Sequence, residues 1–582
     1  MSTPARRRNL KWVVAAAAVF VLVACVAGCR GRFDSKPVPY VGELDLRSGV
    51  REVDTAGVMG VNFATGTGFS GLVLELRMRV RDKNLRGLHL RLGDRLDMEH
   101  AEELASVLAP LRASGTPVHC HADGLGNATA ALAAQVCTRL VLAPSGEVST
   151  VGLAAQNIYF NKLLTEKLGI RLDVLQVGKF KGAEEPFTRD SPSPEARQSL
   201  ESTLLSLQNA WATMLHARPA IEQAWQGAPY PASESKAKGL VDELGYADDS
   251  LSDLKKAAGV EKMVALRAGG EHAPSVLQEL MRSEHQPDIV VLRAVGSIVM
   301  GRGGSDNVAE SSFTKQVQQL SKDDAVKAVV LRIDSPGGSA LASDLMWHEL
   351  RKLAAKKLLV VSVGGMAASG GQYLASAGSH VFADATSIMG SIGVVGGKVV
   401  LNDATEKWGV HAETFTAAGT DGTRRARAAM ESPLQAWDGP TRERVLAEMT
   451  EIYELFLLRV AEGRHLSKEQ VQAHAEGKIF SGKDAVSFGL ADEIGGLSEA
   501  VAYAKLAAKL PEGSTVGVFE GAGGLLERLG LTDSDTRAPH LSGWAQAAQA
   551  LGAPSLVHYA SSWELLRTEH VLLLAPTWLE VR

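Results

Sequence analysis

Cysteine is scarce in this chain. There are four in 582 residues, and two of them, Cys25 and Cys29, lie within or just after an apolar run near the start. The remaining pair, Cys120 and Cys137, excludes a disulfide framework and allows one bridge at most, in an oxidising compartment. Metal-ligand spacing is also missing. "HCHAD" (His119–Asp123) would place His119 and His121 on one face of a strand, but no third and fourth ligand follows at a usual distance. The histidines are therefore read as strand-edge residues and no metal is expected. The glycine-rich "GRGGSD" (Gly301–Asp306) lacks the Lys-Ser/Thr ending of a phosphate loop and is read as a plain loop. Aromatics are few (5%), the net charge is −5, and no basic stretch is interleaved with aromatics, so nothing suggests nucleic-acid binding. An apolar share of 45% with 22% charged residues is ordinary for a globular chain, and the length corresponds to roughly three to four domain-sized units.

One long apolar run is present. "WVVAAAAVFVLVACVAG" covers 17 residues from Trp12 to Gly28, follows the basic "RRRNLK" (Arg6–Lys11), and ends at Cys29. A basic segment followed by an apolar one has the form of a secretory signal. The run is also close to the minimum for crossing a bilayer, so an uncleaved anchor stays open. "VAGC" (Val26–Cys29) resembles a bacterial lipobox, with Cys29 as the lipidated residue; "LVAC", ending at Cys25, is a second, less well placed match. On either reading the bulk of the chain is exported and tethered to a membrane.

The chain repeats itself. "GLVDELG" (Gly239–Gly245) recurs as "GLADEIG" (Gly489–Gly495), and "LRGLHLRLGD" (Leu85–Asp94) lines up with "VKAVVLRIDS" (Val326–Ser335). The offset is 241 residues at the earlier landmark and 250 at the later one, as a duplication with insertions gives. Between the landmarks, apolar strand-like runs alternate with helix-period segments such as "AEELASVLAPLRASG" (Ala101–Gly115) and "SDLMWHELRKLAAKK" (Ser343–Lys357). Such alternation predicts parallel strands joined by crossover helices, and so two copies of one α/β unit.

The copies differ where chemistry could occur. The second has "IDSPGGSA" (Ile333–Ala340) between a strand and a helix; two adjacent glycines there let backbone N–H groups approach a ligand, as in an oxyanion hole. The first copy reads "LGDRLDME" (Leu92–Glu99) at that point. The second also has "MAASGG" (Met366–Gly371), a cramped strand-to-helix turn carrying Ser369; the aligned position in the first is Ala128, or Thr129 if the register slips by one. Conversely, "VGKFKGAEEPFTRDSPS" (Val177–Ser193) in the first copy carries Lys179 and Lys181, whereas "TFTAAGTDGTRRA" (Thr414–Ala426) in the second has no lysine. Complementary loss of this kind predicts one composite site, with a serine from the second copy and a lysine from the first. A lysine can serve as general base only when neutral. Lowering its pKa from about 10.4 to near neutrality costs about 4 kcal/mol, which desolvation at a domain boundary can supply.

"LRIDSPGGS", "GGMAASGGQYLA", "IMGSIGVVGG" (Ile388–Gly397) and "VGKFKGAEEPF" together resemble the signal peptide peptidase A (protease IV) family in its long, tandem-repeat form, over most of residues 71 to 510. The resemblance implies an α/β fold made by tandem duplication of a Clp protease/crotonase-like unit, with parallel β-sheet spirals and flanking helices. It also implies a serine endopeptidase with a Ser-Lys dyad and no cofactor. Carried over by position, Ser369 is the nucleophile and Lys181 the general base, with Lys179 the weaker candidate. Gly338 and Gly370 would supply the oxyanion N–H groups, and Ser391 the hydroxyl that orients the lysine. Where the family more often has Tyr-Lys-Ser, this chain has Phe180-Lys181-Gly182, so one local hydroxyl is missing.

The expected organisation is a signal peptide, lipobox or anchor over 1–29, a linker and N-terminal extension over 30–70, the first repeat over 71–260, the second over 288–510, and a C-terminal extension over 511–582. The apolar "EHVLLLAPTWLEV" in that extension could pack on the second repeat or at a subunit seam. The resemblance further implies peptide substrates, including signal-peptide remnants, a homotetramer, and a place in the bacterial cell envelope with the catalytic part on the extracytoplasmic side. Two other classes fit parts of the sequence. A crotonase-type enzyme acting on acyl thioesters would use the same glycines without needing both Ser369 and Lys181, and a silent scaffold lipoprotein would need neither.

Overall fold

Strands buried on both faces of a parallel sheet need near-continuous apolar runs, and "AVVLRIDS" and "LLVVSVGGMAA" have that character. The computed structural model describes residues 38–53, 55–58, 61–64, 68–266, 287–301, 307–417, 419, 421–519, 565 and 571–575. The lipidation candidate Cys29, with Cys25 and the apolar run, lies outside them. No described helix is long and apolar enough to cross a membrane.

The first half contributes β1 (Tyr40–Asp45), β2 (Leu85–Leu92), β3 (Val118–Ala122), β4 (Arg139–Leu142), β5 (Arg171–Val177), β6 (Glu243–Leu244) and β7 (Met263–Ala265). Six of these form a parallel sheet in the order β6-β4-β3-β2-β1-β7. The second half contributes β8 (Ile289–Val295), β9 (Ala328–Ser335), β10 (Gly337–Ser339), β11 (Leu358–Ala368), β12 (His380–Ala383), β13 (Ile388–Gly390), β14 (Val394–Val400), β15 (Glu493–Ile494), β16 (Val516–Val518) and β17 (Val571–Leu574). Its parallel strands run β15-β12-β11-β9-β8-β16, the same order with each element replaced by its counterpart. The tandem α/β duplication read from the landmarks is therefore present strand for strand.

The first sheet includes β1, upstream of residue 71, because that strand supplies the partner between β2 and β7. Likewise β16 and β17 belong to sheets of the second half although they follow residue 510. His119 and His121, read as strand-edge residues, sit instead on β3 in the middle of the first sheet. Both are buried, with ring nitrogens near the carbonyls of Ser250 (3.5 Å) and Gly245 (3.2 Å). Cys120 and Cys137 are bonded to each other, with Cα atoms 5.8 Å apart.

Five helices matter for the site: α1 (Met98–Ala113), α2 (Asn127–Val136), α3 (Pro194–Leu215), α4 (Ala340–Ala354) and α5 (Gly370–Ala375). α1 and α4 match the predicted helix-period segments. The two halves share one apolar core, in which Leu88 and Leu104 belong with Val330, Val360, Leu497 and Val501. A charged seam crosses the same boundary. Arg332, wholly buried in β9, donates from Nε to Glu52 (3.0 Å) and from Nη1 to Ser362 Oγ (3.0 Å), and lies 2.5 Å from Glu103. Burial alone would raise the Glu52 carboxyl, but Arg332 and His100 hold it at about 2. Glu102 accepts the main-chain N–H groups of Ala385 (2.8 Å) and Thr386 (3.0 Å). These contacts fix the first half against the second, and the site depends on that registration.

The third sheet joins the halves directly. β5 of the first half pairs antiparallel with β14 of the second, from Val177↔Val394 to Arg171↔Val400. β5 leads into the lysine loop and β14 follows Ser391, so the pairing carries the loop of one copy over the turn of the other.

Candidate functional site

Ser369 stands between β11 and α5 with φ 55° and ψ −112°, a left-handed backbone that a serine adopts only under constraint. The constraint is visible. Its N–H donates to Gly390 O (2.8 Å) and its carbonyl accepts from Tyr373 N (2.9 Å). Small neighbours are required here, since a Cβ on Gly370 would lie 2.6 Å from Ser343 Oγ.

The counterpart of this turn in the first half is Gly126, the N-cap of α2, rather than Ala128 or Thr129. The β9–β11 ladder shifts register between Ile333 and Ser335, which adds two residues to β11 ahead of Ser369. No such shift interrupts the β2–β3 ladder of the first copy. The alignment from sequence missed the shift, because an irregularity of this kind leaves the apolar pattern unchanged.

Lys181 is wholly buried. Its Nζ lies 2.6 Å from Ser369 Oγ, 2.7 Å from Ser391 O and 2.9 Å from Ser391 Oγ. A neutral amine has two N–H donors and one lone pair. Donation to the two Ser391 oxygens uses both N–H groups and leaves the lone pair for the Ser369 hydroxyl proton. Burial pushes the amine well below its ordinary value, against the opposing charge of Glu184. Glu184 is itself pushed up to about 8 by burial, so near neutrality it is mostly uncharged and does little to hold a proton on the lysine. Lys179 is exposed, with Nζ 5.2 Å from the centre of the Phe180 ring.

The lysine loop is held by a segment that carries no motif. Phe180 N donates to Glu476 O (2.7 Å) and Lys179 N to the Glu476 carboxylate (3.2 Å). Gly477 has φ +84°, and a Cβ there would come within 2.4 Å of Lys181 N. Ser391 N donates to Lys478 O (2.5 Å). From the first half, α3 anchors the strand that follows: Ser199 Oγ accepts from Ile479 N (3.1 Å) and Thr203 Oγ1 donates to Ile479 O (2.8 Å). Sequence reading passed over Glu476 and Gly477. Their only signal is a glycine inside a polar stretch, which any turn would share.

Gly337 and Gly338 form β10, beside Gly370. The ideal Cβ of Gly370 would sit 3.1 Å from Gly337 Cα, and that of Gly337 2.6 Å from Gly370 N. Two glycine-bearing segments thus pack closely next to the Ser369 turn. The five predicted residues Ser369, Lys181, Ser391, Gly338 and Gly370 come together. The arrangement can activate a hydroxyl and receive negative charge on an acyl oxygen.

The sequence pattern of peptidase family S49 matches residues 110–261 and again 351–511, and that of Clp protease matches residues 282–397. The chain is 32% identical to a chloroplastic serine protease SPPA of Arabidopsis thaliana over 66% of its own length and 57% of the relative's. It is 30% identical to a protease 4 of Salmonella typhi, covering 76% of the chain and 72% of the relative. Identity to a protease 4 of Haemophilus influenzae is also 30%, over 74% and 71%.

Proposed function

The chain belongs to peptidase family S49, and from that premise we propose that it is a serine endopeptidase using a Ser369–Lys181 dyad assembled from its two halves. The observation that carries the reading is the 2.6 Å approach of Lys181 Nζ to Ser369 Oγ with both side chains buried. In the proposed reaction Ser369 Oγ attacks the scissile carbonyl carbon and passes its proton to Lys181 Nζ. The N–H groups of Gly338 and Gly370 take the developing oxyanion. The C–N bond breaks as Lys181 returns the proton to the leaving amine, and Lys181 then deprotonates the water that hydrolyses the acyl-enzyme. Ser391 holds the amine on the Ser369 side and takes the place of the hydroxyl missing after Lys181.

Extended apolar peptides, cleaved signal peptides among them, fit a site flanked by sheet edges, which bind a peptide by strand addition. Residues 1–29 tether the chain to a membrane by lipid on Cys29 or by an apolar anchor, with the peptidase on the extracytoplasmic side. The assembly is a homotetramer. The test is cleavage of an unstructured apolar peptide by the wild type, Ser369→Ala and Lys181→Ala. Both variants should lose cleavage. Full activity in either one would overturn the dyad, and a wild type that cleaves nothing but binds coenzyme A thioesters would favour the crotonase reading.

A further inference from the structure

Three side chains at the start of α1 converge outside the serine–lysine site. Among the described residues, one ligand atom each of Asp97, Glu99 and His100 lie within 4.8 Å of one another. They stand in and just after the Leu92–Glu99 stretch, where the first copy lacks the paired glycines of the second. Their spacing around a helix start is not a metal motif, which is why spacing alone leads one to expect no metal. Asp97 immediately precedes α1, yet its carboxylate caps no helix N–H. It approaches His100 instead, with Oδ2 3.4 Å from Nδ1.

His100 is the decisive residue. It is 3% exposed, and neither ring nitrogen makes a hydrogen bond among the described residues. Nδ1 faces Asp97 at 3.4 Å and Nε2 faces Glu52 at 3.4 Å, both beyond the roughly 2.7–3.2 Å of an N–H···O bond. Two ligands on one zinc ion, each bonded at about 2.1 Å and set at the tetrahedral angle, lie about 3.4 Å apart. The spacing of Nδ1 and Asp97 is therefore that of two ligands on a shared metal. Nε2 has the partner that a metal-bound imidazole needs, a carboxylate to take the other ring N–H. That carboxylate, Glu52, is held in turn by Arg332 Nε (3.0 Å), and the Phe69 ring lies against the imidazole with centroids 3.9 Å apart.

Access and charge agree with an ion at this place. The Asp97 side chain is 63% exposed and Glu99 is half-buried, so a cation can enter from solvent and keep water as a fourth ligand. Two carboxylates and a neutral imidazole match a divalent transition metal in charge and in ligand type. Glu99 also reaches the second half. A Cβ on Gly365 of β11 would lie 2.8 Å from Glu99 Oε1 and 3.4 Å from Asp334 Oδ1, and Met366 N donates to that Asp334 oxygen (3.0 Å).

We propose that Asp97, Glu99 and His100 form a zinc-type divalent metal site, with Glu52 orienting His100, and that the bound ion braces α1 against β11 at the boundary between the halves. The ion takes no part in the proposed peptidase steps, and the site does not rest on that reading.

Equilibrium dialysis of the chelator-stripped full chain against Zn²⁺, read by metal analysis, tests it. One ion per chain is expected, with affinity on the order of tenfold or more weaker in Asp97→Asn and in His100→Gln. Asp97 is exposed, so its variant keeps the packing and its loss of binding is not a folding defect. Co²⁺ in place of Zn²⁺ should give the visible absorption of a four-coordinate ion in the wild type and not in the variants. Equal Zn²⁺ affinity in all three chains would overturn the site by placing the ion elsewhere. Absence of binding would also overturn it and leave His100 as an imidazolium paired with Glu52 and Asp97. Zn²⁺ should raise the thermal midpoint of the wild type and not of Asp97→Asn; site-dependent binding without that rise would overturn the brace.

Discussion

Lys181 Nζ and Ser369 Oγ are 2.6 Å apart across 188 residues of chain. The approach depends on a strand exchange, in which β5 of one half completes the sheet of β14 in the other and delivers the loop that follows it. Neither half has the pair alone. Duplication followed by complementary loss makes the halves mutually dependent, and several consequences can be measured.

Activity should require the free amine. Burial holds Lys181 well below its ordinary value, so kcat/KM should rise with pH along a limb of unit slope whose midpoint is well below about 10.4, the free lysine value. Raising pH deprotonates the base and raises the rate; lowering pH through the midpoint abolishes it. Glu184 raises the lysine only when ionised, and burial keeps it mostly uncharged below about 8, so Glu184→Gln should leave a midpoint near neutrality almost unmoved. A pH–rate profile of each chain checks this.

Ser391→Ala removes one of the three contacts on Lys181 Nζ and leaves the carbonyl contact in place. A lost hydrogen bond to such a group is worth about 1–1.5 kcal/mol, so kcat should fall roughly tenfold with KM little changed. Steady-state kinetics separate the two.

Gly477→Ala should damage catalysis from outside every recognisable motif. The added Cβ would approach Lys181 N to 2.4 Å at a φ of +84°, and the lysine loop must yield. Displacing a catalytic group by about 1 Å costs on the order of 100-fold. We expect that loss with the circular dichroism spectrum unchanged.

Arg332→Ala should destabilise the whole chain. It leaves Glu52 and Glu103 buried at the boundary between the halves without their cation. Removing one partner of a buried pair costs about 3–5 kcal/mol, read as a lowered midpoint in urea unfolding. Adding Glu52→Gln should recover part of it.

Much of this was legible from the sequence because the chain contains its own comparison. Ser369 and Lys181 stood out once one copy was set against the other, and the strand–helix alternation predicted parallel sheets that the ladders bear out. What escaped had no periodic signature. The register shift that makes Gly126 the counterpart of Ser369 changes no apolar pattern. The boundaries at 71 and 510 followed motif coverage, whereas β1, β16 and β17 are recruited by pairing with distant strands. Arg332 was seen only as a repeat landmark, since its anionic partners are nearly 230 and 280 residues away.

Activation of a serine in one half by a lysine of the other can be read out by fluorophosphonate labelling followed by mass spectrometry. The wild type should be modified at Ser369, faster as pH rises through the Lys181 midpoint, and Lys181→Ala should not. Labelling of Ser369 in Lys181→Ala at the wild-type rate would contradict it.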